Sequence, residues 1–320
     1  KETEGFLTSY HTEIFPKRKL LYENLSQIQD LSGTKLELPL YNHASVSGRT
    51  SIKKGFNFLT SSKEFRSKCR SIKKDNVLVG IDFKACEPNL YLRAIGKKID
   101  EPDVYKYLMN NLNINAESRE KLKRGILSVL YGASDDTASR ILGGDKKALS
   151  DIKKFFMVSE NTEILKNEFV EKNFILNMYG RPIFSDKSIL NKWIQSSAVD
   201  FCSLAFLEFV RENNLKVAYL VHDEMVVDCT ADDYKKIRNI KEITDPVTNF
   251  SRLVMQRIVP EDLYDEEESE EVDEDVVVEN SVFSLERTLD LIKEQDVIDM
   301  VPDDDDIFRA AFNQLLSDPT

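Results

Sequence analysis

Two aspartates carry the first chemical signal. Asp82 closes the apolar run Val77-Leu78-Val79-Gly80-Ile81, and Asp223 lies in Val221-His222-Asp223-Glu224, between two further apolar runs. Carboxylates at adjacent strand ends can share a pair of Mg²⁺ ions, because Mg²⁺ takes hard oxygen ligands and keeps phosphate and water in its shell. Two such ions stabilise the attacking and leaving oxygens of an in-line phosphoryl displacement. Taken alone, two acids 141 positions apart more often serve as turn and cap residues. A second signal is basic. Arg119, Lys123, Leu127 and Tyr131 recur every four residues and share one face of a helix. The two cations suit a triphosphate and the ring suits a base or sugar; the plainer meaning is a solvated basic face with Leu127 and Tyr131 turned inward. Gly132 follows and can end that helix. A third signal is the set Lys187, Asn191 and Gln195, at the same spacing. Amides there can reach nucleic acid from a rigid element, or simply form an exposed helix face.

The elements that must position these residues follow from pattern. Lys17–Gln29 reads as a helix, and residues 41–75 as loop and short strands. Val77–Ile81 reads as a buried strand ending at Asp82, and Glu87–Ile95 as a helix with Pro88 in its first turn. Residues 101–172 read as mostly helical, broken at Gly132 and at Gly143-Gly144. Phe174–Met178 and Arg181–Phe184 flank a hairpin-like Tyr179-Gly180. Ser188–Asn213 is a long helix with Ile194, Ala198, Phe201 and Ala205 on one stripe. Lys216–Val221 and Met225–Thr230 read as a hairpin, and Ala231–Met255 as helix apart from a break near Asp245-Pro246. Ser281–Gln295 and Asp306–Leu316 read as short amphipathic helices.

Charge divides the chain. Its 320 residues carry a net −12, but residues 261–320 hold 22 acidic and three basic side chains, a net of −19. Residues 1–260 then hold 41 basic and 34 acidic side chains, a net of +7. A mildly basic body suits a polyanion; an acidic, low-complexity tail mimics or repels one. The length suggests two or three domains, and a hydrophobic content of 41% excludes wholesale disorder. No run approaches the ~18 apolar residues of a membrane span. Without a basic-then-apolar leader, a cytoplasmic protein is expected (host cytoplasm if viral). Cys69, Cys86, Cys202 and Cys229 are too scattered for a zinc site or disulfide framework.

Taken in order, these segments resemble the polymerase core of family A DNA polymerases, the DNA polymerase I and phage replicase type. Gly80-Ile81-Asp82-Phe83-Lys84-Ala85-Cys86-Glu87 resembles the first motif, with Glu five residues after Asp. Arg119, Lys123, Tyr131 and Gly132 resemble the fingers helix, and Val221-His222-Asp223-Glu224 the third motif. Between them, Tyr179-Gly180-Arg181 and Gln195-Ser196-Ser197-Ala198-Val199-Asp200 resemble a Gly-Arg hairpin and a Gln-Gly-Thr-Ala-Ala-Asp-like helix. Upstream, Ser47-Gly48-Arg49-Thr50-Ser51 resembles a Thr-Gly-Arg-Leu-Ser segment. The six cover about residues 41–230.

The resemblance implies an α/β (α+β) right-hand fold: an antiparallel palm sheet, helical fingers and a thumb largely absent. Residues 1–40 would be an N-terminal thumb remnant, 41–98 and 173–260 the palm and 99–172 the fingers; residues 261–320 have no counterpart in the family and by composition read as an acidic, disordered tail. It implies a DNA polymerase that adds dNMP to a primer 3′ end with two Mg²⁺ ions. Asp82 and Asp223 would hold the ions, with the Phe83 carbonyl as a further ligand. Glu87 would exclude a 2′-hydroxyl. Arg119 and Lys123 would grip the triphosphate, Lys123 also supplying a proton to pyrophosphate, and Tyr131 would pack at the insertion site. Arg49, Asn191 and Gln195 would touch the primer–template minor groove, His222 the primer end, and Glu224 would be a secondary carboxylate. Tyr105 stands where the family often has a triphosphate-contacting His, and Leu127 where an aromatic tunes sugar discrimination. Ser196-Ser197 replaces Gly-Thr, and Lys187 replaces a frequent Arg. About 40 residues precede the first match, too few for a complete thumb and a proofreading exonuclease, so the chain is either a fragment or one subunit whose thumb, exonuclease or processivity function comes from a partner. The tail is open to three uses: binding a basic protein surface, shielding the DNA channel, or solubilising. The rival readings are a replisome subunit that needs its partner for activity, or a single-subunit RNA polymerase relative; Glu87 and Glu224 favour DNA. A compact, subunit-split enzyme suits a phage.

Overall fold

The apolar run before Asp82 forms the middle of an eight-residue strand, and a five-stranded antiparallel sheet is assembled around it. The structure, a computed structural model, describes residues 9–99, 101, 103–112 and 119–259. A π-turn (Tyr10–Ile14) runs into helix α1 (Phe15–Glu23), followed by strands β1 (Ile28–Gln29), β2 (Leu40–Asn42) and β3 (Ser51–Lys54). Helix α2 (Lys63–Ser67) and β4 (Arg70–Ser71) lead into β5 (Asn76–Phe83) and α3 (Cys86–Ala94). Helices α4 (Val104–Asn111), α5 (Arg119–Leu130), α6 (Asp135–Ile141), α7 (Lys146–Phe155) and α8 (Val158–Lys172) come next. The small hairpin of β6 (Ile175–Leu176) and β7 (Pro182–Ile183) precedes the long α9 (Ile189–Glu212). The chain then forms β8 (Lys216–Val221), β9 (Glu224–Thr230), α10 (Ala231–Ile237), β10 (Glu242–Asp245) and β11 (Phe250–Val259). The expected tail helices, Ser281–Gln295 and Asp306–Leu316, lie outside the described residues.

The large sheet has the order β10-β11-β5-β9-β8, with β5 at its centre. Alternation along β5 sends Val79, Ile81 and Phe83 to one face, where they join a core with α1, α3 and α9. The Phe83 ring packs against Phe206 and Phe201, with centroids 4.7 and 5.0 Å away. Leu78 faces the other way, into a smaller core with Phe58, Cys69, Tyr219 and Val226. Gly80 and Asp82 continue that second face.

Helices α3 to α8 enclose a separate apolar cluster that includes Tyr91, Leu108, Ile126, Leu142 and Ile152. Helix α9 contributes Leu190 and Ile194 to it, and Phe201 and Phe206 to the sheet core, so one helix braces both cores. Gly125 lets α6 approach α5: a Cβ there would lie 2.3 Å from a Leu142 methyl carbon. Ser134 and Asp145 cap α6 and α7, and Gly132, Gly143 and Gly144 adopt positive φ where the preceding helices stop. Among the described residues, no helix is long and apolar enough to cross a membrane.

Two sequence expectations are corrected. The helix expected over Lys17–Gln29 starts at Phe15, with Pro16 in its first turn, and stops at Glu23. Ile28 and Gln29 instead pair with Ser71 and Arg70. Ala231–Met255 is helical only to Ile237 and then forms the β10–β11 hairpin. Asp245 makes that turn by accepting from the Val247 and Thr248 amides, and its buried carboxylate also accepts from the Tyr179 hydroxyl at 2.8 Å. β11 is held by pairing along β5, a long-range contact that outweighs local helical preference.

A buried polar knot ties these parts together. Asp200 on α9 is fully buried and accepts from Arg181 Nε and Nη2 at 3.0 Å, from Asn177 at 2.7 Å and from Tyr10 at 3.2 Å. Arg18 Nη1 pairs with the same carboxylate at 3.0 Å, and its Nη2 donates to the Gly48 carbonyl at 2.9 Å. Gly48 has φ +75°, and a Cβ there would lie 2.6 Å from Arg181 Cζ, so glycine is required. Removing the carboxylate would strand two buried guanidinium groups. Asp200→Ala is therefore expected to lower the unfolding free energy by about 3–5 kcal/mol, read from urea denaturation midpoints.

Candidate active site

The acidic pair is built by strand register. Asp82 pairs with Glu224 across β5 and β9, and β8 and β9 are joined by the two-residue turn His222-Asp223. The Phe83 amide donates to the Asp223 carbonyl at 3.4 Å, so the pairing runs one step into the turn and brings the two aspartates side by side. His222 adopts φ +54° and is exposed at the turn. Burial first, then the charges of Asp223 and Glu224, push the Asp82 carboxyl up to about 7, against the pull of Lys123 and Arg257. Asp223 is raised too, chiefly by burial. Phe83 sends its ring into the core, which leaves only its backbone available to the site.

Glu87 stands in the first turn of α3, directly after the left-handed Ala85 and the short segment leaving Asp82. Its carboxylate accepts from Arg49 Nη2 at 3.3 Å and from the Tyr131 hydroxyl. Burial raises the Glu87 carboxyl, opposed by the Arg49 charge. Arg49, Glu87 and Tyr131 are thus one hydrogen-bonded group, drawn from a loop, α3 and the residue after α5. Asp223 acts electrostatically on all three, so this group borders the acidic pair.

Helix α5 turns its basic face to the same place. Lys123 acts on both Asp82 and Asp223. Arg119, one turn earlier, pairs with Asp103 at 2.7 Å and lies over the Tyr105 ring, 5.1 Å from its centroid. Tyr105 itself is buried, a platform beneath the guanidinium. Leu127 is half-buried between the cations and Tyr131. On α9, Gln195 is half-buried and Asn191 is 9% exposed, with its Oδ1 lacking a hydrogen-bond partner.

Sequence reasoning missed two participants. Arg257 on β11 pairs with Glu224 at 2.5 Å; that stretch reads as helix in the sequence and becomes a strand only by pairing along β5. Asp103 is the second. It caps α4 by accepting from the Tyr105 and Lys106 amides, while its other oxygen holds Arg119.

Comparison with known proteins was uneven. No family model matches the chain, and no curated protein sequence matches it. Among solved structures, it is similar to the POL domain of Pol1 from M. smegmatis in complex with DNA primer-template and dNTP. The TM-score is 0.53 and the identity 13%, over 70% of this chain and 47% of that one. The chain has a polymerase-domain fold. It spans less than half the length of that structure, and at this identity the likeness is one of fold.

The crowding of acids has a consequence for stability. The Asp82 carboxyl titrates near 7 in the fold and near 3.8 unfolded. The folded state therefore binds the extra proton between those values, and stability falls as pH rises through them. In cation-free buffer, Asp82→Asn should gain on the parent chain by about 1–3 kcal/mol from pH 4 to pH 7, measured by urea unfolding.

Proposed function

We propose that the chain is a template-directed DNA polymerase that adds dNMP to a primer 3′ end by two-metal phosphoryl transfer. One observation carries the reading. Asp82 and Asp223 meet at the end of adjacent strands, faced by Lys123 and bordered by the Arg49–Glu87–Tyr131 group. The fold likeness adds to it.

The donor set fits a divalent cation. Burial raises both carboxyls and the Asp223 charge raises Asp82 further, despite the opposing charge of Lys123, and their oxygens are hard ligands. Among the described residues, no three His, Cys, Asp or Glu side chains form a metal cage. Mg²⁺ does not need one, because it commonly takes one or two carboxylates and completes its shell with phosphate and water. Asp82 and Asp223 would hold two such ions, with the Phe83 carbonyl as a further ligand. When bound, the ions supply charge neutralisation for the attacking and leaving oxygens.

The chain's own residues do the rest by alignment and electrostatics. Lys123 and Arg119 bind the triphosphate, and Lys123 is placed to give a proton to the departing pyrophosphate. Arg119 must exchange Asp103 for phosphate oxygens, and the Tyr105 ring holds the guanidinium level while it does so. Glu87, fixed from two sides by Arg49 and Tyr131, closes the space a 2′-hydroxyl would fill. This favours deoxynucleotides over the RNA polymerase reading. Tyr131 and Leu127 border the nascent pair. Asn191, with an unused buried acceptor, and Gln195 face the minor groove from α9, with Arg49. His222 lies at the primer end, and Glu224 is a secondary carboxylate beside the ions. In this reading residues 41–98 and 173–260 form the palm and 99–172 the fingers. In the same reading the acidic residues 261–320 bind a basic protein surface.

Primer extension on a primed DNA template with Mg²⁺ and dNTPs tests the reading. The parent chain should extend the primer and Asp223→Ala should lose at least a thousandfold of the rate, a loss on the order of 4 kcal/mol in the barrier. Absence of extension by the parent chain, alone and with a thumb-bearing partner, would refute it. Glu87→Ala should admit ribonucleotides, raising the rNTP share in direct competition with dNTPs; unchanged discrimination would remove Glu87 from that role.

A further inference from the structure

We infer that Arg257 is a positioning residue that clamps Glu224 to the sheet and keeps this third carboxylate off the cations held by Asp82 and Asp223. The inference rests on the proposed cation site.

The register makes the clamp unusual. Arg257 belongs to β11 and Glu224 to β9, and β5 runs between them. Arg257 is paired with Gly80, and Glu224 with Asp82. Residues paired directly across an antiparallel ladder point to the same face, so Arg257, Gly80, Asp82 and Glu224 share one side of the sheet. To reach Glu224, the Arg257 side chain must pass over the central strand. It does so above Gly80, and Nη2 meets Glu224 Oε1 at 2.5 Å. A Cβ at Gly80 would sit 3.0 Å from that same oxygen and 3.2 Å from Arg257 Cγ and Nε. Gly80 is not at positive φ, so its missing side chain serves space and not backbone conformation. The sequence thus leaves a lane across β5 that an arginine fills.

The lane ends next to the acidic pair. Glu224 follows Asp223 in the chain and faces Asp82 across the strands. An unheld Glu224 is a third hard ligand within reach of the same ions. Mg²⁺ demands near-octahedral geometry, so an added carboxylate would displace water or substrate phosphate from its shell. Arginine suits the holding role because its planar fork keeps a carboxylate in a fixed direction and stays charged. The pair is only partly exposed, with side chains 25% and 12% accessible, so solvent does not dissolve it.

The test uses the full chain and Mn²⁺ alone as probe, followed by electron paramagnetic resonance of the free ion without DNA or nucleotide. Arg257→Gln should bind Mn²⁺ about tenfold more tightly, because a positive charge is lost and a carboxylate is released. Arg257→Gln combined with Glu224→Gln should return the affinity to the parent value, and Arg257→Lys should stay near it. Asp82→Asn should abolish binding and so locate the probe. In primer extension, Arg257→Gln should lower kcat about tenfold with KM for dNTP unchanged, and the Mg²⁺ optimum should move to lower concentration. A single variant that binds Mn²⁺ no more tightly than the parent, or a double variant that keeps the tighter binding, would overturn the inference. If the parent chain extends no primer, alone or with a thumb-bearing partner, the polymerase reading fails, yet the Mn²⁺ comparison still decides the clamp.

Discussion

The fully buried carboxylate of Asp200 sets the frame on which the site depends. Two arginines, an asparagine and a tyrosine converge on it from two separate segments, the N-terminal helix and the β6–β7 hairpin. Such a group gains little net stability, since desolvating the ions offsets their attraction. Its value lies in placement. Arg18 fixes the Gly48 carbonyl and therefore the start of Arg49. Arg181 and Asn177 fix the β6–β7 hairpin on α9. Arg49 can then reach Glu87, and α9 can present Asn191 and Gln195 from a rigid base.

The site itself concentrates like charge. Asp82, Asp223 and Glu224 stand at one end of two paired strands, and burial denies them the screening of bulk water. Lys123 and Arg257 oppose them from different elements, one on helix α5 and one on strand β11. This division matters physically. Arg257 is tied to the sheet by pairing along β5, so its charge is fixed with the acids. Lys123 rides on α5, whose core is shared with α4, α6 and α7 rather than with the sheet. A shift of the helical lobe would change the Lys123 contribution and leave the Arg257 contribution in place.

Glu87 shows the same economy of parts. One oxygen of its carboxylate is held by Arg49 and the other by Tyr131, so two neighbours fix its direction. Arg119 is held comparably, paired with Asp103 and supported by the Tyr105 ring. Glu87 is therefore oriented by its neighbours alone, whereas Arg119 is held by a pair it can exchange.

Much was legible from the sequence alone. The apolar runs around Asp82 and Asp223, the four-residue repeat from Arg119 to Tyr131, the glycines after the helices and the length of α9 are local patterns, and each element formed where its pattern lies. Local pattern failed where a distant partner decides conformation. Residues 250–259 became a strand because β5 offered an open edge, and Ile28–Gln29 because β4 did. The convergence of Asp82 on Asp223, of Glu87 on Tyr131 and of Arg257 on Glu224 was likewise settled by strand register and helix packing. A side chain's type and spacing are written in the chain, but the neighbour it meets depends on contacts between segments far apart in sequence, which only the folded structure brings together.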